Sequence, residues 1–241
     1  MLRLRVGIGA TAGTVIASRR IERGGYVRLE AGTASHTGRI RTSNQDSVGL
    51  VDGLYVVADG MGGHRGGEVA SAEAVAAMLA VFDRRDRAGL VAAVRSANRT
   101  ILEKTVTRPD LSGMGTTLCA LAVVSSASGD EVLAVANIGD SRVYRFAAGE
   151  LVQVSDDHSL VADLMRAGEL SAEEAAQHPQ RNILPRALGI EADPVIDSWE
   201  LEPVLGDRYL LCSDGLFNEL DDGRLAEVLA AGTVQESADL L

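Results

Sequence analysis

Three aspartates in the sequence stand at the ends of apolar runs, and each is next to a glycine. The pairs are Asp59-Gly60 after residues 54–58, Gly139-Asp140 after residues 134–138, and Asp214-Gly215 after residues 208–213. If the runs are strands, each delivers a carboxylate at its C-terminal end, beside a glycine that turns the chain sharply. Carboxylates that meet at one sheet edge repel each other unless a cation lies among them. Oxygen-only ligation predicts a site for Mg²⁺, Mn²⁺ or Ca²⁺ rather than Zn²⁺.

A basic segment, residues 38–46, precedes the first of these pairs and carries Arg39 and Arg41 close to Asp46. A guanidinium group binds two phosphate oxygens at once and stays charged at any working pH. Arginine beside a cation site is therefore suited to an enzyme that handles phosphate. Each feature alone has an ordinary explanation, because Asp-Gly pairs are common in turns and a basic loop can simply be solvated. Their combination favours a phosphate-handling metal site.

Hydrophobic periodicity predicts the elements that position these residues. Strands are predicted at residues 26–30, 47–51, 54–58, 116–124, 131–138, 142–146, 151–154, 195–201 and 208–213. Helices are predicted at residues 68–82, 90–102, 160–167, 225–231 and 234–241, and a capping box at Ser171 opens another short one. Strands outnumber helices, and the two long helices are adjacent instead of alternating with strands. This pattern indicates an α+β fold with antiparallel sheets.

The composition narrows the class of protein. The chain has 241 residues and a net charge of −11, from 34 acidic and 23 basic residues. An acidic chain repels phosphodiester backbones and anionic lipid, so nucleic-acid and membrane partners are not expected. Cys119 and Cys212 lie in apolar runs and are predicted to be buried free thiols in a reducing compartment, the cytoplasm. Residues 1–25 are expected to form a poorly defined N-terminal extension, because their apolar stretch is diluted by glycine and threonine.

Five motifs, in order along the chain, resemble those of the type 2C (PPM-type) metal-dependent serine/threonine protein phosphatases, most closely the bacterial branch. They are Arg41-x-x-Asn44-Gln45-Asp46, Asp59-Gly60-Met61-Gly62-Gly63, Gly115-Thr116-Thr117, Gly139-Asp140-Ser141-Arg142 and Asp214-Gly215. Residues 157–189 are similar to the flap segment beside the active site of that branch. The resemblance covers residues 27–241, and five ordered motifs are far more specific than any one of them.

The resemblance implies a four-layer α-β-β-α sandwich, with two antiparallel sheets flanked by helix pairs and two Mn²⁺ or Mg²⁺ ions at one sheet edge. By position, Asp59 would bridge the two metals, Gly60 would offer its carbonyl oxygen and Asp214 would bind one metal. Asp46 would orient water on the metals. Asp140, with Asp214, matches the position of a weaker third metal.

The resemblance also implies the reaction, the hydrolysis of phosphoserine and phosphothreonine in proteins by a water that bridges the two metals. Phosphate monoesters hydrolyse very slowly without help. Two cations lower the pKa of a shared water, and together with Arg41, which would bind the substrate phosphate, they offset charge on the phosphoryl oxygens. The implied partners are phosphorylated proteins that a cognate serine/threonine kinase has modified.

The sequence departs from the family pattern in ways that affect the site. Family members continue past a helix like residues 234–241 into a final strand preceded by an Asp-Asn pair, which supplies another metal ligand. The domain at residues 26–241 is therefore expected to be C-terminally incomplete, with a weaker metal site and a bare sheet edge. Gln45 replaces a frequent glutamate, and Asn218 stands where some members have an aspartate that supports the third metal.

These departures keep other functions open. The alternative to an active phosphatase is a catalytically impaired, phosphatase-like module that binds phosphoproteins or metal in a regulatory role. A calcium-binding structural domain is the third hypothesis, and it gives Arg41 no role.

Overall fold

The computed structural model describes residues 5–7, 14–21, 27–37, 43–62, 65–82 and 86–241. The strands are β1 Arg5–Gly7, β2 Thr14–Ile21, β3 Val27–Ala34, β4 Asp46–Val51, β5 Leu54–Met61, β6 Gly115–Thr116, β7 Leu118–Ser125, β8 Glu131–Ile138, β9 Arg142–Ala147, β10 Glu150–Gln153, β11 Asp197–Leu201 and β12 Arg208–Cys212. The helices are α1 Gly66–Val81, α2 Arg87–Thr107, α3 Leu160–Arg166, α4 Ala172–Ala176, α5 Asp214–Phe217, α6 Asp222–Leu229 and α7 Val234–Leu240, with a 3-10 turn at Pro109–Leu111.

The strands form two sheets that lie between two layers of helices. Sheet A has the order β1-β4-β5-β7-β8-β11, with β6 paired to the end of β5, and sheet B has the order β10-β9-β12-β2-β3. The strand pairs of both sheets are antiparallel. Helices α1 and α2 pack on sheet A, whereas α5, α6 and α7 pack on sheet B. The α+β four-layer sandwich predicted from the sequence is confirmed.

Three apolar layers hold the four structural layers together. Representative buried residues are Leu54, Ala74 and Leu90 between sheet A and its helices, Val57, Cys119 and Tyr209 between the sheets, and Leu210, Leu225 and Leu229 between sheet B and its helices. Neighbouring side chains of a strand point to opposite faces, so a central strand buries both of its faces. Cys119 and Cys212 are buried free cysteines, as predicted.

The hairpin that leads to the first aspartate pair forms as predicted and is longer than predicted. Strands β4 and β5 are joined at Asp52-Gly53, and Gly53 has a φ of +76°, which the tight turn requires. Strand β5 continues through Asp59 and Gly60 to Met61. Helix α2 also extends beyond the predicted 90–102, because the Asp86 side chain caps it by accepting from the Gly89 N–H at 2.5 Å.

Residues Thr14–Ile21 correct the expectation that residues 1–25 form a poorly defined extension. They form strand β2, which lies inside sheet B between β12 and β3. Val15 and Ala17 face the layer between the sheets, and Ile16 faces the helices on the other side. The threonine before this apolar run and the serine and arginines after it concealed the strand, because they leave only three consecutive apolar residues, at positions 15–17.

Replacing Ile16 by alanine should lower the free energy of unfolding by about 3 kcal/mol, because it leaves a cavity against Leu210 and Leu225. The matched control is Val152→Ala on edge strand β10, where the side chain is half exposed and the change should cost less than about 0.5 kcal/mol. Urea denaturation of both variants measures the difference. Equal small losses would contradict the central position of β2.

Strand β3 lies at an edge of sheet B, and α7 covers part of it. The Gln235 amide accepts from the Thr33 N–H at 3.2 Å and donates to the Thr33 carbonyl at 3.0 Å. The Gln235 side-chain amide thus satisfies the backbone N–H and carbonyl of Thr33, which a strand added at this edge would otherwise use. Within the described part of the chain, no helix has the length and apolar character needed to span a membrane.

Candidate metal centre

Strands from both sheets bring aspartates to one edge of the sandwich. Asp46, the first residue of β4, is paired in register with Asp59 near the end of β5. The Ser213 hydroxyl, which directly follows β12 of sheet B, donates to Asp46 Oδ2 at 2.6 Å. This hydrogen bond joins the two sheets and places Asp214, the next residue, beside the sheet A carboxylates.

The backbone of Asp59 is held on both sides by a pair of threonines. The Asp59 N–H donates to Thr117 Oγ1 at 3.0 Å, and the Asp59 carbonyl accepts from Thr116 Oγ1 at 2.8 Å and from the Thr117 N–H at 2.9 Å. Thr117 Oγ1 also lies 2.7 Å from Ser141 Oγ, next to Asp140. The Gly115-Thr116-Thr117 motif therefore links Asp59 to the turn that carries Asp140.

The electrostatics show that four carboxylates share this edge. Burial raises the pKa of Asp59 well above its usual range, and the charges of Asp46, Asp214 and Asp140 raise it further. Burial, and then the charges of Asp214 and Asp157, raise the pKa of Asp140 to about 7. Without a cation, the ionised forms of Asp59 and Asp140 are therefore costly to the folded protein.

The donor set fits hard divalent cations that keep part of their water. Among the described residues, no three His, Cys, Asp or Glu side chains are arranged to enclose a single ion. Magnesium commonly keeps several waters and takes only one or two carboxylates from the protein. The carboxylates, of which Asp46 is buried and the other three are partly exposed, and the backbone carbonyl at Gly60 suit such partly hydrated ions. The set contains no nitrogen or sulfur ligand that would favour zinc.

The glycines beside the aspartates do not all turn the chain, which corrects the expectation of a sharp turn at each pair. Gly60 lies inside β5, where a Cβ would overlap the Gly67 carbonyl at the start of α1. Gly215 lies inside the short helix α5. Gly139 alone of the three has a positive φ, +98°, and a Cβ there would lie 2.6 Å from Thr117 Cγ2. The sequence pattern at Gly60 is typical of a turn, but the glycine is required there because the backbone of α1 approaches it closely.

The predicted site residues fall into two groups. The structure brings together Asp46, Asp59, Gly60, Asp140 and Asp214, as described above. Arg41 lies outside the described residues, as do Gly63 and His64. The Asn218 amide donates to Asp214 Oδ2 from a distance of 3.4 Å. Asn218 therefore contacts a carboxylate of the site, although it lacks the negative charge of the aspartate that the resemblance places there in some family members.

Arg142 is a site-supporting residue whose contacts the sequence did not reveal. Its guanidinium pairs with both oxygens of Asp157 at 2.7–3.1 Å and lies 3.7 Å from the centre of the Phe217 ring in α5. Burial lowers the pKa of Arg142, but its contacts with Asp157 and Tyr144 outweigh burial and leave the pKa above its usual value. Arg142 thereby joins β9 to the start of the flap segment and to the helix that begins at Asp214. The only feature of the sequence that pointed to Arg142 was its position in the Gly139-Asp140-Ser141-Arg142 motif.

Replacing Thr117 by valine should destabilise the protein by about 1–3 kcal/mol, because the shape is retained but the buried Asp59 N–H loses its acceptor. The matched control is Thr107→Val at the exposed end of α2, which should change the free energy of unfolding by less than about 0.5 kcal/mol. Thermal unfolding of the metal-free proteins measures both. A Thr117→Val protein as stable as the control would contradict this role.

Comparison with known proteins gives matches over most of the chain. Residues 35–238 match the family described as Protein phosphatase 2C. The chain is 41% identical over 218 residues to the serine/threonine protein phosphatase PstP of Mycobacterium tuberculosis, which covers 88% of this chain and 41% of that protein. It is 38% identical over 219 residues to the serine/threonine phosphatase stp of Listeria monocytogenes, which covers 84% of each chain. The chain thus spans less than half of its mycobacterial relative.

A solved structure gives the same result in three dimensions. The chain is similar to the catalytic domain of serine/threonine protein phosphatase PstP in complex with two manganese ions, with a TM-score of 0.73 and 37% identity. The similarity covers 94% of this chain and 90% of that one.

Proposed function

The chain belongs to the protein phosphatase 2C family, and we propose that it hydrolyses phosphoserine and phosphothreonine in proteins with two divalent cations, Mn²⁺ or Mg²⁺. The observation that carries the proposal is the carboxylate cluster of Asp46, Asp59, Asp140 and Asp214. Burial and mutual repulsion raise the pKa of Asp59 and of Asp140, and a bound cation removes both penalties. A cluster this costly to the metal-free protein is typical of a functional site.

Each residue of the cluster has a proposed role. Asp59 would bridge the two cations, since the Thr116 and Thr117 hydrogen bonds fix its backbone. Asp214 would bind one cation, and the Gly60 carbonyl would supply a neutral oxygen. Asp46 would hold and orient water, because the Ser213 hydroxyl fixes one of its carboxylate oxygens.

The cations, when bound, would act as Lewis acids that lower the pKa of water and neutralise charge on the phosphoryl group. Arg41 would bind two oxygens of the substrate phosphate and hold the phosphorus in line for attack, because guanidinium geometry matches that group. Asp140, together with Asp214, would hold a third and weaker cation. Asn218 contacts Asp214 as an amide and adds no negative charge there, so this third ion would be loosely bound.

The wider role follows from the family and is part of the proposal. Residues 26–241 would form the catalytic domain, with the flap segment at residues 157–189 beside the active site. The substrates would be phosphorylated proteins in the cytoplasm, modified by a cognate serine/threonine kinase of a bacterial signalling system. Acidic charge across the chain, −11 in total, would favour substrate segments that carry basic residues.

A manganese titration with a phosphothreonine peptide and an aryl phosphate tests the proposal. We expect phosphate release from both substrates that rises with Mn²⁺ and stops on chelation, and release from a phosphotyrosine form of the same peptide that is slower than from the phosphothreonine form. Folded protein that releases no phosphate at saturating Mn²⁺ would overturn it. Peptide binding without turnover in that case would support the alternative, a regulatory phosphatase-like module.

A further inference from the structure

A buried histidine outside the carboxylate cluster contacts the turn that carries Asp140. His158 is 3% exposed and follows Asp157 at the start of the flap segment. The ring atom Nδ1 of His158 accepts from the Gly139 backbone N–H at 3.2 Å, and the backbone N–H of His158 donates to the Gly139 carbonyl at 3.0 Å. Gly139 is the residue before Asp140, so His158 fixes both faces of the backbone from which this carboxylate projects.

The second nitrogen of the ring has an equally specific partner. His158 Nε2 lies 2.8 Å from Asp197 Oδ2, and Asp197 is the first residue of β11. A neutral imidazole carries its proton on one nitrogen only. Because Nδ1 accepts from Gly139, the proton belongs on Nε2, where it donates to Asp197. Asp197 therefore selects the tautomer that can hold the Gly139 turn.

The Asp197 carboxylate also contacts the end of the flap segment. The Arg186 guanidinium lies 3.7 Å from Asp197 Oδ1, and its side chain is 43% exposed. Asn137, paired in register with Asp197, donates to the Gly139 carbonyl at 3.3 Å and to the Asp156 carbonyl at 3.0 Å. The start and the end of the flap segment thus meet the Asp140 turn through one network of polar side chains, buried at His158 and Asn137 and partly exposed at Asp197 and Arg186.

We propose that His158 is a positioning residue that orients Asp140 for cation binding, in the tautomer selected by Asp197. The inference rests on the proposed function for its consequence in catalysis, because Asp140 is the proposed ligand of the weaker cation. It differs from a purely structural role because two nitrogens of one ring have separate tasks. Nδ1 holds the turn, and Nε2 fixes the tautomer and ties the ring to β11.

Two substitutions separate these tasks, since asparagine and glutamine each retain one nitrogen position of the ring. His158→Asn keeps an acceptor near Nδ1 for the Gly139 N–H and loses Asp197. His158→Gln reaches Asp197 and leaves the buried Gly139 N–H without its acceptor. The readouts are the Mn²⁺ concentration at half-maximal activity, Mn²⁺ affinity by calorimetry without substrate, and the unfolding midpoint of the metal-free protein.

We expect His158→Gln to weaken the affinity for the loosest Mn²⁺ about tenfold, as is usual when a residue that orients a ligand is lost, and His158→Asn to stay within about twofold of the unaltered protein. In the Asp140→Asn background, His158→Gln should cause no further loss of Mn²⁺ affinity by calorimetry. Nitrogen NMR of the metal-free protein should show the Nε2-protonated tautomer.

Equal losses in the two variants, a full effect of His158→Gln in the Asp140→Asn background, or an Nδ1-protonated ring would each overturn the inference. Failure of the proposed function is distinguishable, because it would appear as absent turnover in the unaltered protein while the calorimetric and NMR results still report on His158.

Discussion

Asp59→Asn is expected to lower Mn²⁺-dependent hydrolysis at least about 1,000-fold, because bound cations contribute several kcal/mol to the transition state and each 1.4 kcal/mol is worth a factor of ten. Asparagine keeps the size of the side chain and the hydrogen bonds of the Asp59 backbone to Thr116 and Thr117. It removes the charge that would bridge the two cations. The measurement is phosphate release from a phosphothreonine peptide at saturating Mn²⁺.

The same substitution should make the metal-free protein more stable. Burial and three neighbouring carboxylates raise the pKa of Asp59, so its ionised form costs folding free energy that a neutral amide does not. A matched control is Asp193→Asn, where the side chain is 86% exposed and pairs with Arg95 on the surface at 3.5 Å. The control should change neither activity nor stability appreciably. Lost activity with lowered stability of the Asp59→Asn protein would contradict the electrostatic account.

The stability of the metal-free protein should depend on pH through Asp140. Its pKa is 3.8 in an unstructured chain and about 7 in the fold. Below about pH 4 both states hold the proton, and between pH 4 and 7 only the folded state does, so stability falls as pH rises through this window. Since each pKa unit is worth about 1.4 kcal/mol, Asp140 ionisation costs on the order of 4 kcal/mol by pH 8.

Comparison with Asp140→Asn isolates this contribution from other carboxylates. The variant should match the unaltered protein in stability near pH 4 and exceed it by several kcal/mol at pH 8, in the presence of a chelator. Saturating Mn²⁺ at pH 8 should reduce this difference, because the cation stabilises the folded state that binds it. Denaturant unfolding at the two pH values measures the effect. A stability difference that is the same at both would contradict the raised pKa.

The sequence predicted those parts of the protein that depend on local patterns. Apolar runs followed by Asp59, Asp140 and Asp214 indicated strand ends with carboxylates, and the Asp52-Gly53 turn indicated the hairpin that places Asp59. The four-layer fold came from the resemblance carried by the ordered motifs. The structure contains these strands and this turn because their formation depends on residues that are close together in the sequence.

The parts that the sequence did not predict depend on contacts between distant residues. Strand β2 forms because β12 and β3 pair with it on both sides, and no local pattern in its glycine- and threonine-diluted surroundings indicates this. Ser213 and Asp46 are hydrogen-bonded although 167 residues apart. Residue 60 must be glycine because a Cβ there would overlap the backbone of α1. The role of His158 depends on its contact with Gly139, which lies 19 residues before it in the sequence.

Anomalous X-ray diffraction from crystals soaked in Mn²⁺ tests whether the aspartate cluster binds a pair of cations, since it locates the ions independently of activity. We expect two manganese peaks where the ends of β4, β5 and β12 meet, with the Asp59 carboxylate between them and Asp214 on one ion. A third, weaker peak beside Asp140 would agree with the proposed loose site. Manganese that binds only elsewhere, or no manganese within coordinating distance of Asp59, would contradict the proposed metal site.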